Sequence, residues 1–109
     1  MTWTVTYYNE RVKRDVLSFP VGILAGYRRL VAVMLEHGPD LGMPYSRAMG
    51  AGLFELRPHG REGIGRVFYC TCSGSTVVIL HSFVKKSQRT PDDELQVARR
   101  RLREVLHCG

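Results

Sequence analysis

Apolar residues alternate with threonine in "TWTVTYY", where Trp3, Val5 and Tyr7 take every second position. That period predicts a strand with one buried face. The pattern changes at Asn9, a residue suited to capping a helix. In "ERVKRDVLSF", Val12, Val16 and Phe19 fall at i, i+4 and i+7 and share one helical face. Ser18 and Pro20 then interrupt, because proline is tolerated only in the first turn of a helix. A second helix is predicted from there to about Glu36, with a stripe of Ile23, Tyr27, Leu30, Val31, Met34 and Leu35. The two helices are expected to form a hairpin.

"HGPDLGMPYSRAMGAG" is rich in Gly and Pro and reads as a loop. Three strands are predicted after it, in "LFELR", "GRVFYCTC" and "TVVILHSFVK". Their connectors "PHGREG" and "SGS" are short and contain glycine, as antiparallel hairpins require. The last strand is apolar on both faces, which places it inside the sheet with helices on at least one side. Thr90 or Pro91 opens a final helix with Asp92, Asp93 and Glu94 in its first turn and Arg99, Arg100, Arg101 and Arg103 near its end. That order complements the helix dipole. Leu95, Ala98, Leu102, Val105 and Leu106 make its buried stripe, leaving Arg100, Arg101 and Arg103 exposed. The predicted fold class is α+β, with a small, mostly antiparallel sheet in the order β-α-α-β-β-β-α. It forms a single domain over residues 1–109.

Composition adds four constraints. A hydrophobic fraction of 44% with 24% charged residues is ordinary globular usage and excludes a disordered or collagen-like chain. No apolar run approaches the ~18 residues of a membrane span, and the N-terminal stretch lacks the order of a secretory signal, so a cytoplasmic location without membrane association is expected. Three cysteines, with Cys70 and Cys72 two apart, do not describe a disulfide framework. The 16 Lys and Arg against 10 Asp and Glu give a net charge of +6, which favours a polyanionic partner, nucleic acid above all.

Candidate chemistry concentrates on basic residues. Glu55 and Arg57 share one strand face, and Arg66 begins the next strand, so Arg57 and Arg66 stand near each other across the hairpin. Either they splay into solvent or pair with Glu55 and Glu62, or they form a phosphate clamp, for which the planar guanidinium fork is suited. Lys85 and Lys86 end the last strand. In a regular strand they point to opposite faces, and only a bulge brings them together. His81 is a candidate general base or a packed, hydrogen-bonded core residue. Tyr69 either stacks a base or fills the core. The cysteine pair lacks the further ligands of structural zinc, and no metal or cofactor is expected. No Gly-rich phosphate loop and no recognisable Ser or Cys nucleophile is present.

"PYSRAMGAGLFELR", "GRVFYC" and "VVILHSFVKKSQRTPDDELQVARRR" occur in that order from Pro44 to Arg103. Together they resemble the RelE/HigB superfamily of toxins from type II toxin-antitoxin modules, in its phage-type HigB-like branch. The resemblance implies a metal-independent endoribonuclease that cuts messenger RNA on the ribosome. In that chemistry the RNA's own 2′-hydroxyl attacks the adjacent phosphate, so the protein needs no nucleophile. It implies Arg57, Arg66, Lys85 and Lys86 as catalytic residues, and it is consistent with Glu55 or His81 as acid or base and with Arg47, Tyr69 and Arg89 as RNA contacts. Glu55 stands where relatives nearer RelE carry lysine, and the tyrosine they place in the last helix is absent. The implied partners are ribosome-bound mRNA and a cognate antitoxin, a small helix-turn-helix protein of the HigA type. Two other functions share this fold, a toxin of the ParE type that poisons gyrase and a non-catalytic RNA- or protein-binding module.

Overall fold

The computed structural model describes residues 3–72, 74–85 and 91–108. Strand β1 (Thr4–Tyr7) leads into helix α1 (Glu10–Leu17), whose first turn is capped by Asn9 Oδ1, which accepts from the Val12 amide at 2.9 Å. Helix α2 (Val21–His37) follows after a bend of 117°, more open than the tight hairpin expected. Strands β2 (Ser46–Gly50), β3 (Leu53–Leu56), β4 (His59–Gly60), β5 (Gly63–Cys72) and β6 (Thr76–Lys85) come next, and helix α3 (Asp92–Cys108) completes the fold.

The strands form one mixed sheet in the order β1-β6-β5-β3-β2, with β4 paired to β5. Only β1 and β6 run parallel, from Thr4 opposite Thr76 to Tyr7 opposite Ile79. The doubly apolar strand β6 is interior, as its sequence predicts. Val77 and Ile79 pack with Val16, Ile23 and Tyr27 of the first two helices. Val78 and Leu80 face Ala98 and Leu102 of α3. Helices therefore cover both faces, α1 and α2 on one and α3 on the other. Leu106, assigned above to the buried stripe, is exposed beyond this contact.

Two strands lie within segments read above as loops. Glycine and alanine make "SRAMG" look irregular, yet β2 pairs with β3 through a turn in which Gly50, Ala51 and Gly52 all have positive φ. Strand β4 forms because Gly26 of α2 admits it. A Cβ at Gly26 would sit 2.5 Å from the His59 carbonyl oxygen, so helix and strand backbones touch directly. Helix α2 has no side-chain cap of its own. Glu62, in the β4–β5 turn, accepts from the Gly22 and Ile23 amides at 3.0 and 3.2 Å. Bonding to the Gly22 amide first, with the other backbone bonds, holds the Glu62 carboxyl below the usual glutamate range. No single helix among the described residues is long and apolar enough to cross a membrane.

Candidate functional site

The α3-facing side of the sheet carries a row of residues on four adjacent strands. Arg47 lies opposite Glu55, Glu55 opposite Phe68, and Phe68 opposite His81. One register step along, Arg66 lies opposite Phe83. Strand pairing thus assembles residues far apart in sequence at ~4.8 Å lateral spacing.

Glu55 is the centre of the cationic end of this row. It is fully buried, with Oε1 3.3 Å from Arg47 Nη2 and 3.5 Å from Arg66 Nε. Arg66 is itself only 1% exposed, whereas the Arg47 side chain is 43% exposed. Arg57 follows β3, with its amide bonded to the Tyr45 carbonyl at 2.9 Å and Nη1 3.5 Å from Met43 Sδ. Burial pushes the Arg66 pKa down from the ordinary guanidinium value. The charges of Arg57 and Arg47 push the same way, and Glu55 opposes them. Two buried donors, Arg57 Nε and Arg66 Nε, have no hydrogen-bond acceptor among the described residues. Glu55 does pair with Arg66, but Glu62 is occupied at α2.

His81 reaches the α3 face because β6 contains a bulge. The register passes from Tyr69–Ile79 to Phe68–His81 and leaves Leu80 without a strand partner. Simple alternation puts His81 and Phe83 with Val77 and Ile79, towards α1 and α2. The extra residue turns them over. His81 Nε2 then lies 2.8 Å from Glu94 Oε1, in the first turn of α3, with the two side chains 18% and 29% exposed. Arg101 Nη1 donates to the Leu80 carbonyl at 2.8 Å, satisfying a group that the bulge removes from the ladder, and its guanidinium sits 4.8 Å above the Tyr8 ring. Glu94, read in the sequence only as part of the acidic first turn of the last helix, is thus a site residue that the sequence reading missed. The signal that marks it is the glutamate of "TPDDE" together with the histidine of "LHSF".

The structure corrects several expectations. Tyr69 is fully buried on the opposite face, stacked on Phe54 with its hydroxyl bonded to the Pro39 carbonyl, and burial pushes its pKa up to about 12. It is a core residue and cannot stack a base in this conformation. Glu55, buried against two arginines, is likewise no exposed base. Arg101 is bound to β6 rather than displayed on a solvated face, and Arg99 donates to the Met49 carbonyl at 2.8 Å. Lys85 closes β6 with its backbone opposite Ile64. The bulge at Leu80 lies well before it. Lys86 and Arg89 fall outside the described residues.

Two further surfaces flank this arrangement. Arg99, Arg100 and Arg103 line a shallow groove of about 320 Å³ with Gln96 along α3. On the other side of the molecule, Leu30, Val33, Leu41 and Tyr45 line a larger groove of about 560 Å³ with Arg29, His37 and Asp40. Cys70 is buried against the α3 face, where burial raises its thiol pKa to about 12.

A small mixed sheet, two helices on one face, a C-terminal helix on the other and a basic cluster at the strand ends define a RelE-like α+β fold. The chain belongs to the family described as phage-derived protein Gp49-like (DUF891), which matches residues 14–103 and is a toxin family of the RelE/ParE superfamily type. Toxins of this family are typically paired with an antitoxin. No curated protein matches the chain.

Proposed function

We propose that the protein is the toxin of a toxin-antitoxin pair, of the HigB-like kind, and that it cuts messenger RNA on the ribosome. The observation that carries this reading is the juxtaposition, on one sheet face, of the Arg47–Glu55–Arg66 cluster and the His81–Glu94 pair. The first is suited to a phosphate and the second to proton transfer. Two strand spacings, about 10 Å, separate the Glu55 and His81 backbones, so their side chains can approach one RNA linkage from two sides.

In this mechanism the arginines neutralise the scissile phosphate as the RNA 2′-hydroxyl attacks it. One such donor to developing charge is worth about 3 kcal/mol in comparable sites. His81, oriented by Glu94, takes the 2′-hydroxyl proton. The phosphorus bond to the 5′-oxygen breaks, leaving a cyclic phosphate and a 5′-hydroxyl, whose proton comes from His81 or from a lysine at the end of β6. Phe83, half-buried between the arginine and histidine rows, takes the base-stacking role first given to Tyr69. The ribosome supplies the in-line geometry. A helix-turn-helix antitoxin of the HigA type is the proposed partner.

Induced expression should arrest growth, and ribosome-bound message should acquire new ends with 5′-hydroxyl groups. A 2′-deoxy nucleotide at the cut position should block that cut. Arrest with intact message and broken DNA would instead identify a gyrase poison. Expression without arrest would identify a binding module.

A further inference from the structure

The arginine cluster is held together by an incomplete set of bonds. Of the arginine contacts to Glu55 Oε1 among the described residues, the one from Arg47 has hydrogen-bond geometry, whereas the Arg66 Nε contact at 3.5 Å does not. Among the described residues Arg66 Nη1 reaches its neighbour's carbonyl, at the long distance of 3.4 Å. Arg57 Nε, just past the end of β3, is also buried without an acceptor among the described residues. Unmet donors on guanidinium groups shielded from water are what an oxyanion with several oxygens satisfies. A single carboxylate cannot serve all of them.

We infer that Glu55 is the resident counter-ion of a phosphate site, holding Arg66 and Arg47 in place while the site is empty and yielding them to a phosphate when it is filled. Without it, a buried Arg66 would have no compensating charge beside two other guanidinium groups. With it, the cluster keeps two more positive charges than negative ones, counting Arg47, Arg57 and Arg66 against Glu55, and so stays attractive to an anion. Arg47 is the solvent-side member, and phosphate enters past it. Glu55 is therefore a positioning residue. That the phosphate is RNA's rests on the proposed function; that the site takes an oxyanion does not.

The test is thermal unfolding of the full chain in inorganic phosphate, with ionic strength held constant by chloride. In wild-type protein phosphate has to displace Glu55, whereas in Glu55→Gln it meets uncompensated arginines. The Tm of E55Q should rise with phosphate at an apparent affinity on the order of tenfold above wild type. Adding Arg66→Gln should abolish the increment. Equal phosphate dependence in wild type and E55Q, or an unchanged response in the E55Q/R66Q protein, would overturn the inference. If E55Q is unfolded in chloride alone, folding induced by phosphate supports it. Glu55→Asp then repeats the comparison with the charge drawn back by one methylene, and a response no greater than wild type counts against it. A phosphate response in E55Q without RNA cleavage by wild-type protein removes the proposed function and leaves the oxyanion site standing. Cleavage without that response does the reverse.

Discussion

His81 Nε2 is bonded to Glu94 Oε1 at 2.8 Å, and this contact joins the bulged sixth strand to the first turn of the last helix. A histidine so held has one ring nitrogen fixed by a carboxylate, the arrangement that orients an imidazole for proton transfer. It also pins the helix, so a catalytic and a structural part must be separated by measurement.

Replacing His81 with Gln is expected to lower single-turnover cleavage by about 10²-fold or more, the usual contribution of a general base. Binding of an uncleavable 2′-O-methyl RNA should stay near wild type. Glu94→Gln should cause a smaller loss of cleavage with RNA binding near wild type, a split that a purely structural bond would not produce. Stopped cleavage assays across neutral pH, beside thermal melts of each variant, decide between the two roles.

Arg101→Ala should destabilise the fold by about 1–3 kcal/mol, because the Leu80 carbonyl at the bulge loses its donor. Urea unfolding gives the value. Arg100→Ala, at an exposed neighbouring position, should be within about 0.5 kcal/mol of wild type.

Gly26→Ala brings a methyl group against the His59 carbonyl and should cost about 1–3 kcal/mol through forced separation of α2 from β4. Hydrogen exchange at β4 and the start of α2 should accelerate more than at β5 and β6.

Glu62 provides a pH test of the α2 cap. Its carboxyl is held below the usual glutamate range in the folded chain, so its contribution is fully present above the unfolded value, about 4.3, and is lost as pH falls through the lower folded value. Glu62→Gln should therefore melt below wild type at neutral pH. The gap between the two Tm values should close progressively as the solution is acidified below that range.

Much of the architecture was legible because periodicity carries it. The alternation of Trp3, Val5 and Tyr7, the Val12–Val16 pair of α1 and the double-sided apolarity of β6 each map onto a strand or helix where burial demands that pattern, while Phe19, expected on the same helical stripe, is buried just past the end of α1. Strand β2 was not legible, since "SRAMG" has neither β-branched residues nor a clear alternation, and its pairing depends on a turn with three positive φ angles. The site was legible in residue type but not in geometry. Arginines at a hairpin base point to an anion, but nothing local says that Arg66 will be buried against Glu55. The face occupied by His81 is set by one extra residue at Leu80, a register property that no single strand displays.

The parallel alignment of Thr4–Tyr7 with Thr76–Ile79 also has a consequence for synthesis. The opening strand has no lateral neighbour until the last strand of the sheet has left the exit tunnel, and the helix that brings Glu94 to His81 emerges later still. Contacts of such long sequence separation form slowly. The edge strand and the His81–Glu94 contact are thus completed late, after the hairpins that lie between them in sequence.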